Sequence, residues 1–180
     1  MPYAQVRPNV ATITPPSGWT LVRRIDNTVS VDRNSLAVYI KVATASEPAS
    51  HTWTFSASAG AAGGIASFIG VDTSNPIDVE NGQATGNSTT HATPSVTTTG
   101  NSTMLVTSHA FASGATWTPP AGMTETVDVA SVPVPNVDGI SLEINYAQQA
   151  ATGATGAKSA VASNNADIGN THILALRRAP

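Results

Sequence analysis

Hydrophobic and polar residues alternate along several short segments of this chain. In the clearest one, Leu36, Val38 and Ile40 occupy every second position. A period of two is typical of a β-strand with one buried face, and no long segment has the 3.6-residue period of an amphipathic helix. Further segments that predict strands are 19–25, 51–57, 65–71, 95–99, 103–112, 123–130, 140–148, 158–163 and 171–178. The pattern therefore predicts an all-β fold, specifically an antiparallel two-sheet β-sandwich of the jelly-roll type.

One motif occurs twice along the chain. Thr-Pro-Pro-Ser-Gly-Trp-Thr at 14–20 returns as Thr-Pro-Pro-Ala-Gly-Met-Thr at 118–124, and the strand-like segment 35–39 has a weaker counterpart at 141–146. These echoes predict two related four-strand units that close on each other, because neither sheet alone could bury its apolar face. The predicted parts are an N-terminal arm (1–16) and a single domain (17–180), with units at about 14–71 and 118–178 and a connector at 72–117. The large side chains expected in the shared core are Trp19, Trp53, Trp117, Phe55, Phe68 and Phe111.

The first sixteen residues contain four prolines, which prevent a helix there. We expect an extended arm that docks on a neighbouring subunit, by strand addition to a neighbour's sheet. Its side chains Tyr3, Val6 and Arg7 are the predicted contacts. A terminus that makes no such contact is the alternative.

Composition narrows the classes of function. Charged residues are only 11 % of the chain, against about 25 % in ordinary globular domains. The net charge is −3 and the eight Lys and Arg residues are scattered, so we expect no nucleic-acid partner. Without cysteine there is no disulfide, thiolate nucleophile or Cys-ligated zinc. No stretch approaches the ~18 apolar residues of a membrane span, and no signal-peptide pattern opens the chain. Either a signal has been removed, or the protein is made in the cytoplasm and leaves its cell by another route. We expect no membrane partner.

The chain offers few residues for catalysis. There is no nucleophile elbow, and a hydrolase would need His109 or His172 within reach of a Ser and an Asp. Glu125 and Glu143 fall on consecutive predicted strands, as a pair of glycosidase carboxyls could, but two solvent-facing residues on a half-exposed sheet are the favoured explanation. We expect a protein that is not an enzyme.

The sequence offers two candidate binding sites. The predicted 72–93 loop contains a group of oxygen ligands of the kind that calcium prefers: Asp72, Asn75, Asp78 and Glu80. An ordinary Asx turn is an alternative explanation for Asp72 and Asn75. The spacing does not match an EF-hand loop, so we predict neither a metal nor a cofactor. For a glycan, Trp117 before Pro119 is the best candidate for an exposed aromatic.

Several segments together resemble a known family. They are Gly-Trp-Thr-Leu-Val-Arg-Arg at 18–24, Ala-Val-Tyr-Ile-Lys-Val-Ala at 37–43, Glu-Pro-Ala-Ser at 47–50, Trp-Thr-Phe at 53–55, Gly-Gly-Ile-Ala at 63–66, Gly-Val-Asp-Thr-Ser-Asn-Pro-Ile-Asp at 70–78, Ala-Thr-Pro-Ser-Val-Thr-Thr at 92–98, Trp-Thr-Pro-Pro-Ala-Gly-Met-Thr at 117–124 and Leu-Ala-Leu-Arg at 174–177. In this order they resemble β-sandwich proteins encoded by bacteriophages and found as modules of large bacterial surface proteins. The resemblance carries no catalytic residues.

The resemblance implies a setting on a virion or a cell surface. We expect a non-enzymatic virion structural protein, a decoration or cement protein on the capsid exterior. Its partners would be capsid or tail subunits and further copies of itself. The alternative is a carbohydrate- or receptor-binding module of a phage tail or a bacterial surface adhesin, located outside the cell.

Overall fold

The computed structural model describes residues 2–7, 11–29, 33–57, 60–163 and 166–180, with residues 2–7 described by their backbone. Every regular element in these ranges is a β-strand, and every strand pair is antiparallel. The strands are β1 Pro2–Arg7, β2 Ile13–Thr14, β3 Thr20–Asn27, β4 Asn34–Ile40, β5 Thr54–Phe55, β6 Gly60–Ile65, β7 Ile77–Ser88, β8 Thr90–Ala92, β9 Thr97–Thr98, β10 Thr103–Phe111, β11 Trp117–Thr118, β12 Thr124–Ala130, β13 Ser141–Gln149, β14 Gly153–Ala154, β15 Ser159–Ala162 and β16 Asp167–Leu176. The all-β prediction is confirmed. No helix in the described ranges has the length and apolarity needed to cross a bilayer.

Two large sheets pack in a sandwich-like arrangement. One has the strand order β3-β4-β1-β6 and the other β12-β13-β10-β16-β7. Side chains from alternate positions of both sheets form one aliphatic cluster between them, because a strand places every second residue on the same face. Its fully buried members include Leu36, Val38, Val106, Leu142 and Leu174.

The predicted aromatic core is wrong. Of the six aromatic side chains expected there, only Phe111 and Trp117 are buried, and both lie in a separate cluster on the outer face of the five-stranded sheet. Phe68 only flanks the aliphatic cluster. Trp19 and Trp53 pack on the outer face of the four-stranded sheet, against Tyr39.

A third layer of short strands covers the outer face of the five-stranded sheet. It consists of the sheet β11-β15-β8 and the pair β14-β9. The cluster beneath it contains Phe111 and Trp117 together with small residues of β15. The position of β11 in this layer explains why Trp117 points inward: its strand pairs with β15 instead of ending in an open loop.

The repeated motif has the same geometry in both places. Gly18 and Gly122 have φ values of 84° and 75°, which favour glycine, and a main-chain hydrogen bond closes each turn. The hairpins β3-β4 and β12-β13 that follow have register shifts at equivalent places, between Leu21 and Arg23 and between Glu125 and Val127. The order β3-β4-β1-β6 also matches β12-β13-β10-β16 strand for strand.

Several segments differ from the expectations. Residues 2–7, predicted as part of an arm that docks on a neighbouring subunit, form β1 between β4 and β6 of their own chain. The predicted 72–93 loop is largely strand, because β7 pairs along β16 at the sheet edge, where polar side chains are tolerated on both faces. Of residues 65–71, predicted as a central strand, only Ile65 belongs to a strand, as the last residue of β6; residues 66–71 follow it as irregular chain. The strand here is β6, whose residues Gly60 to Gly64 pair with β1. It therefore lies earlier in the chain than the apolar run at 65–71 predicted.

Candidate ligand-binding groove

A groove of about 440 Å³ opens beside the C-terminal end of β4. One wall is the end of β4 and the chain that follows it, and the other is the irregular segment 65–73. Its lining is mainly apolar and includes Trp19, Ile40, Phe68 and Leu176. The size and apolar lining are typical of ligand sites in proteins, which range from about 300 to 1,000 Å³.

The wall formed by residues 65–73 is fixed by the C-terminal segment. Ala179 N donates to Gly70 O at 2.8 Å, and Asp72 N donates to Arg177 O at 3.0 Å. Gly70, at φ 70°, turns the chain between these two hydrogen bonds. Ile69, immediately before this turn, is 100 % exposed at the edge of the groove. Val42 and Ile65, which are 45 % and 48 % exposed, line the same groove, and a group of exposed apolar side chains suits contact with a partner.

The polar side of the groove is an ion pair with a fixed geometry. Lys41 Nζ donates to Glu47 Oε2 at 2.6 Å, while Thr44 donates to the other carboxyl oxygen from its N–H at 2.7 Å and its hydroxyl at 3.0 Å. The hydrogen bond from Lys41, followed by those from Thr44, lowers the pKa of Glu47 to about 2. Glu47 is therefore ionised throughout the physiological range, with its charge balanced by Lys41.

His51 connects this ion pair to the aromatic wall. Trp19 Nε1 donates to His51 Nδ1 at 3.2 Å, so the neutral ring carries its proton on Nε2. That N–H faces Glu47 Oε2, 3.7 Å away. Trp19 meets the imidazole edge-on, with ring centres 5.1 Å apart, and packs against Trp53 at 5.4 Å. The rings of His51 and Trp53 thus pack against one part of Trp19, and the rest of its surface lines the groove.

The predicted contact residues do not meet at this groove. Trp117, predicted to be exposed, is only 7 % exposed and packs edge-on against Phe111 and His91. Tyr3, Val6 and Arg7 lie on β1, inside the four-stranded sheet, and their side chains are outside the described part of the structure.

The two strand histidines are also engaged elsewhere. His109 Nε2 faces Lys158 O at 3.1 Å and its Nδ1 lies 3.5 Å from Glu143 Oε2. His172 Nε2 lies 2.9 Å from Glu80 Oε2. In the described ranges, neither histidine has the Ser and Asp partners that a hydrolase would require.

Of the expected carboxyl pair, Glu143 is buried and Glu125 is exposed. Glu125 on β12 lies opposite Asn145, two residues along β13 from Glu143, and the side chain of Glu143 is completely buried. Burial raises the pKa of Glu143 to about 8, and the charges of Glu125 and Asp128 act in the same direction. Glu143 is therefore a neutral acid at pH 7, closed off from any substrate by the third layer.

The three carboxylates among the four oxygen ligands expected for calcium take part in separate interactions. Asp72 accepts hydrogen bonds from Ser74 N and Asn75 N as an Asx turn. Asp78 accepts from Thr99 and Gly100. Glu80 accepts two hydrogen bonds from Arg23, at 2.7 and 2.9 Å. Within the ranges that the structure describes, no group of three or more acidic, His or Cys side chains could hold a metal ion.

Comparisons of the chain with family models, with curated proteins and with solved structures gave no match. The family resemblance of the sequence therefore remains a prediction.

The sequence did not predict the groove, although two of its signals pointed there. Trp19 follows a turn motif that occurs twice, and its counterpart is Met123. Segment 65–71 is apolar on both faces, which predicted a central strand. The same pattern also fits an irregular wall with one side packed and the other in solvent.

Proposed function

We propose that this protein is a non-enzymatic structural protein of a phage particle, a decoration or cement protein on the capsid exterior, and that its groove receives the particle. The open apolar groove with the fully exposed Ile69 at its edge carries the proposal. The low charge of the chain and its sequence resemblance agree with it. On a symmetric lattice, many weak groove contacts act together, so no single contact needs to be strong.

Particle incorporation tests this proposal. Cryo-electron microscopy of particles should place many ordered copies on the capsid, with the groove against a capsid subunit. Ile69→Asp should leave the fold intact, since the side chain is 100 % exposed, but should abolish incorporation. The matched control is Val137→Asp, another exposed apolar residue (61 %) that does not line the groove. Normal incorporation of folded Ile69→Asp would refute the proposal.

A second function is favoured by the aromatic wall. Trp19 presents a ring beside Lys41, Glu47 and His51, and an aromatic face with nearby polar groups also suits a sugar. On this alternative the chain is a carbohydrate- or receptor-binding module of a phage tail or a bacterial surface adhesin. Trp19→Ala should then lose glycan-array binding, whereas Trp19→Phe should retain most of it. Equal glycan profiles for wild type and Trp19→Ala would exclude this role.

As to the fold, we propose the closer assignment of a jelly-roll-like sandwich made of two related four-strand units. The shared strand order and the equivalent turns and register shifts support it. An experimental structure with a different strand order in either sheet would refute it.

A further inference from the structure

The first strand in chain order lies in the interior of a sheet. β1 pairs with β4 from Tyr3↔Val38 to Val6↔Ser35, and with β6 from Pro2↔Ile65 to Arg7↔Gly60. Both of its edges are therefore hydrogen-bonded. If β1 were absent, β4 and β6 would each present unpaired main-chain groups, and a single antiparallel strand would fit between them.

β1 differs from its counterpart in the other sheet in how it is connected. β10 lies between β13 and β16 in the same way, but connections at both of its ends join it to other strands. Among the described strands, β1 is joined to the others by a single connection, through residues 8–12 to β2. Within the described part of the chain, exchange of β1 therefore changes only this one connection.

The neighbour of β1 on one side is an unusually plain strand. Five of the six residues of β6 are Gly or Ala. Such strands offer few side chains to fix a partner, so the main-chain hydrogen bonds provide most of the pairing, and exchange between copies is favoured. Those hydrogen bonds are the same whichever copy of the chain supplies the strand.

We propose that β1 is exchanged between copies of this chain, so that the first strand of one copy completes the four-stranded sheet of another. We assign a second copy as the occupant because its β1 would bring to both edges the register found here. Between Arg7 and Ile13 the chain can span about 20 Å at most, so exchanging copies must touch near this end of the sheet. The inference does not depend on the proposed function.

Cysteine pairs provide a direct test, because the chain has no cysteine of its own. Val6 lies opposite Ala61, which is exposed. Single variants Val6→Cys and Ala61→Cys are refolded together and oxidised, and cross-linked peptides are identified by mass spectrometry. The matched control pairs Val6→Cys with Ala121→Cys, an exposed position in the turn before β12.

Exchange predicts about a tenfold or greater excess of the interchain disulfide between positions 6 and 61 over the control, because only opposed residues lie within disulfide reach. A yield equal to the control, with the double variant forming its disulfide within one chain, would overturn the proposal. The unmodified chain gives an independent measurement. Refolding at high concentration should yield dimers or larger species by sedimentation, and an excess of a peptide of residues 2–7 should reduce them. A monomer under all these conditions would also overturn the proposal.

Discussion

Glu143→Gln should stabilise the protein at neutral pH. Glu143 is completely buried, and within the described residues neither carboxyl oxygen has a hydrogen-bond partner. Burial raises its pKa from 4.5 to about 8. His109 Nε2 faces a carbonyl oxygen, so Nδ1 is the unprotonated nitrogen of a neutral ring, and it lies 3.5 Å from Glu143 Oε2. The proton on Glu143 therefore lies beside a basic nitrogen.

The sign of the effect follows from linkage between protonation and folding. Below pH 4.5 the carboxyl is protonated in the folded and unfolded chains, and its protonation does not favour either. Between pH 4.5 and about 8 the unfolded chain loses this proton while the folded chain keeps it, so stability falls as pH rises. Each pH unit contributes about 1.4 kcal/mol, so the loss at pH 7 is about 3 kcal/mol.

Gln has the same shape as protonated Glu and does not titrate, so the variant avoids this loss. Chemical denaturation followed by tryptophan fluorescence should be measured from pH 5 to pH 8 for both proteins. The stability of Glu143→Gln relative to wild type should rise by about 1.4 kcal/mol per pH unit until it levels off near pH 8. A constant packing difference cancels in this slope. A difference that does not change with pH would refute the reasoning.

Two further substitutions test the polar contacts of Glu80 and the packing of Trp117. Glu80→Gln removes the charge that Arg23 and His172 contact from neighbouring strands, and should cost about 2 kcal/mol at pH 7 by chemical denaturation. These contacts lower the pKa of Glu80 to about 2, so its contribution should be lost as pH falls from 4.5 towards 2. Trp117→Ala should cost about 3–5 kcal/mol, measured in the same way, because it empties a site that is 7 % exposed beside Phe111.

Each of these variants has a control within the chain. Glu125→Gln changes an exposed carboxyl and should have a much smaller effect at pH 7 than Glu80→Gln; equal losses would mean that the contacts of Glu80 do not matter. Trp19→Ala truncates a half-buried ring at the groove and should cost less than Trp117→Ala. A greater loss for Trp19→Ala would contradict the assignment of Trp117 to a core.

The sequence by itself determined the elements that depend on local chemistry. Alternation at 36–40 and 141–146 marks strands because one face must be apolar, and both segments are strands. The two Thr-Pro-Pro-x-Gly turns were visible because proline restricts φ and glycine allows the positive φ that such a turn needs, whatever surrounds them.

Only the tertiary structure decided which strands meet and what each face touches. β7 is polar on both faces and resembles a loop in sequence, but the free edge of β16 gives it hydrogen-bond partners. Trp117 and Trp19 both lie next to a Pro-Pro turn. The layer of short strands buries Trp117, whereas Trp19 lines the groove. Burial of a side chain and the shift in its pKa, as in Glu143, are produced by neighbours distant in sequence. The local sequence pattern cannot predict this burial or this pKa shift, because it depends on each residue's own preference and not on the surface that packs against it.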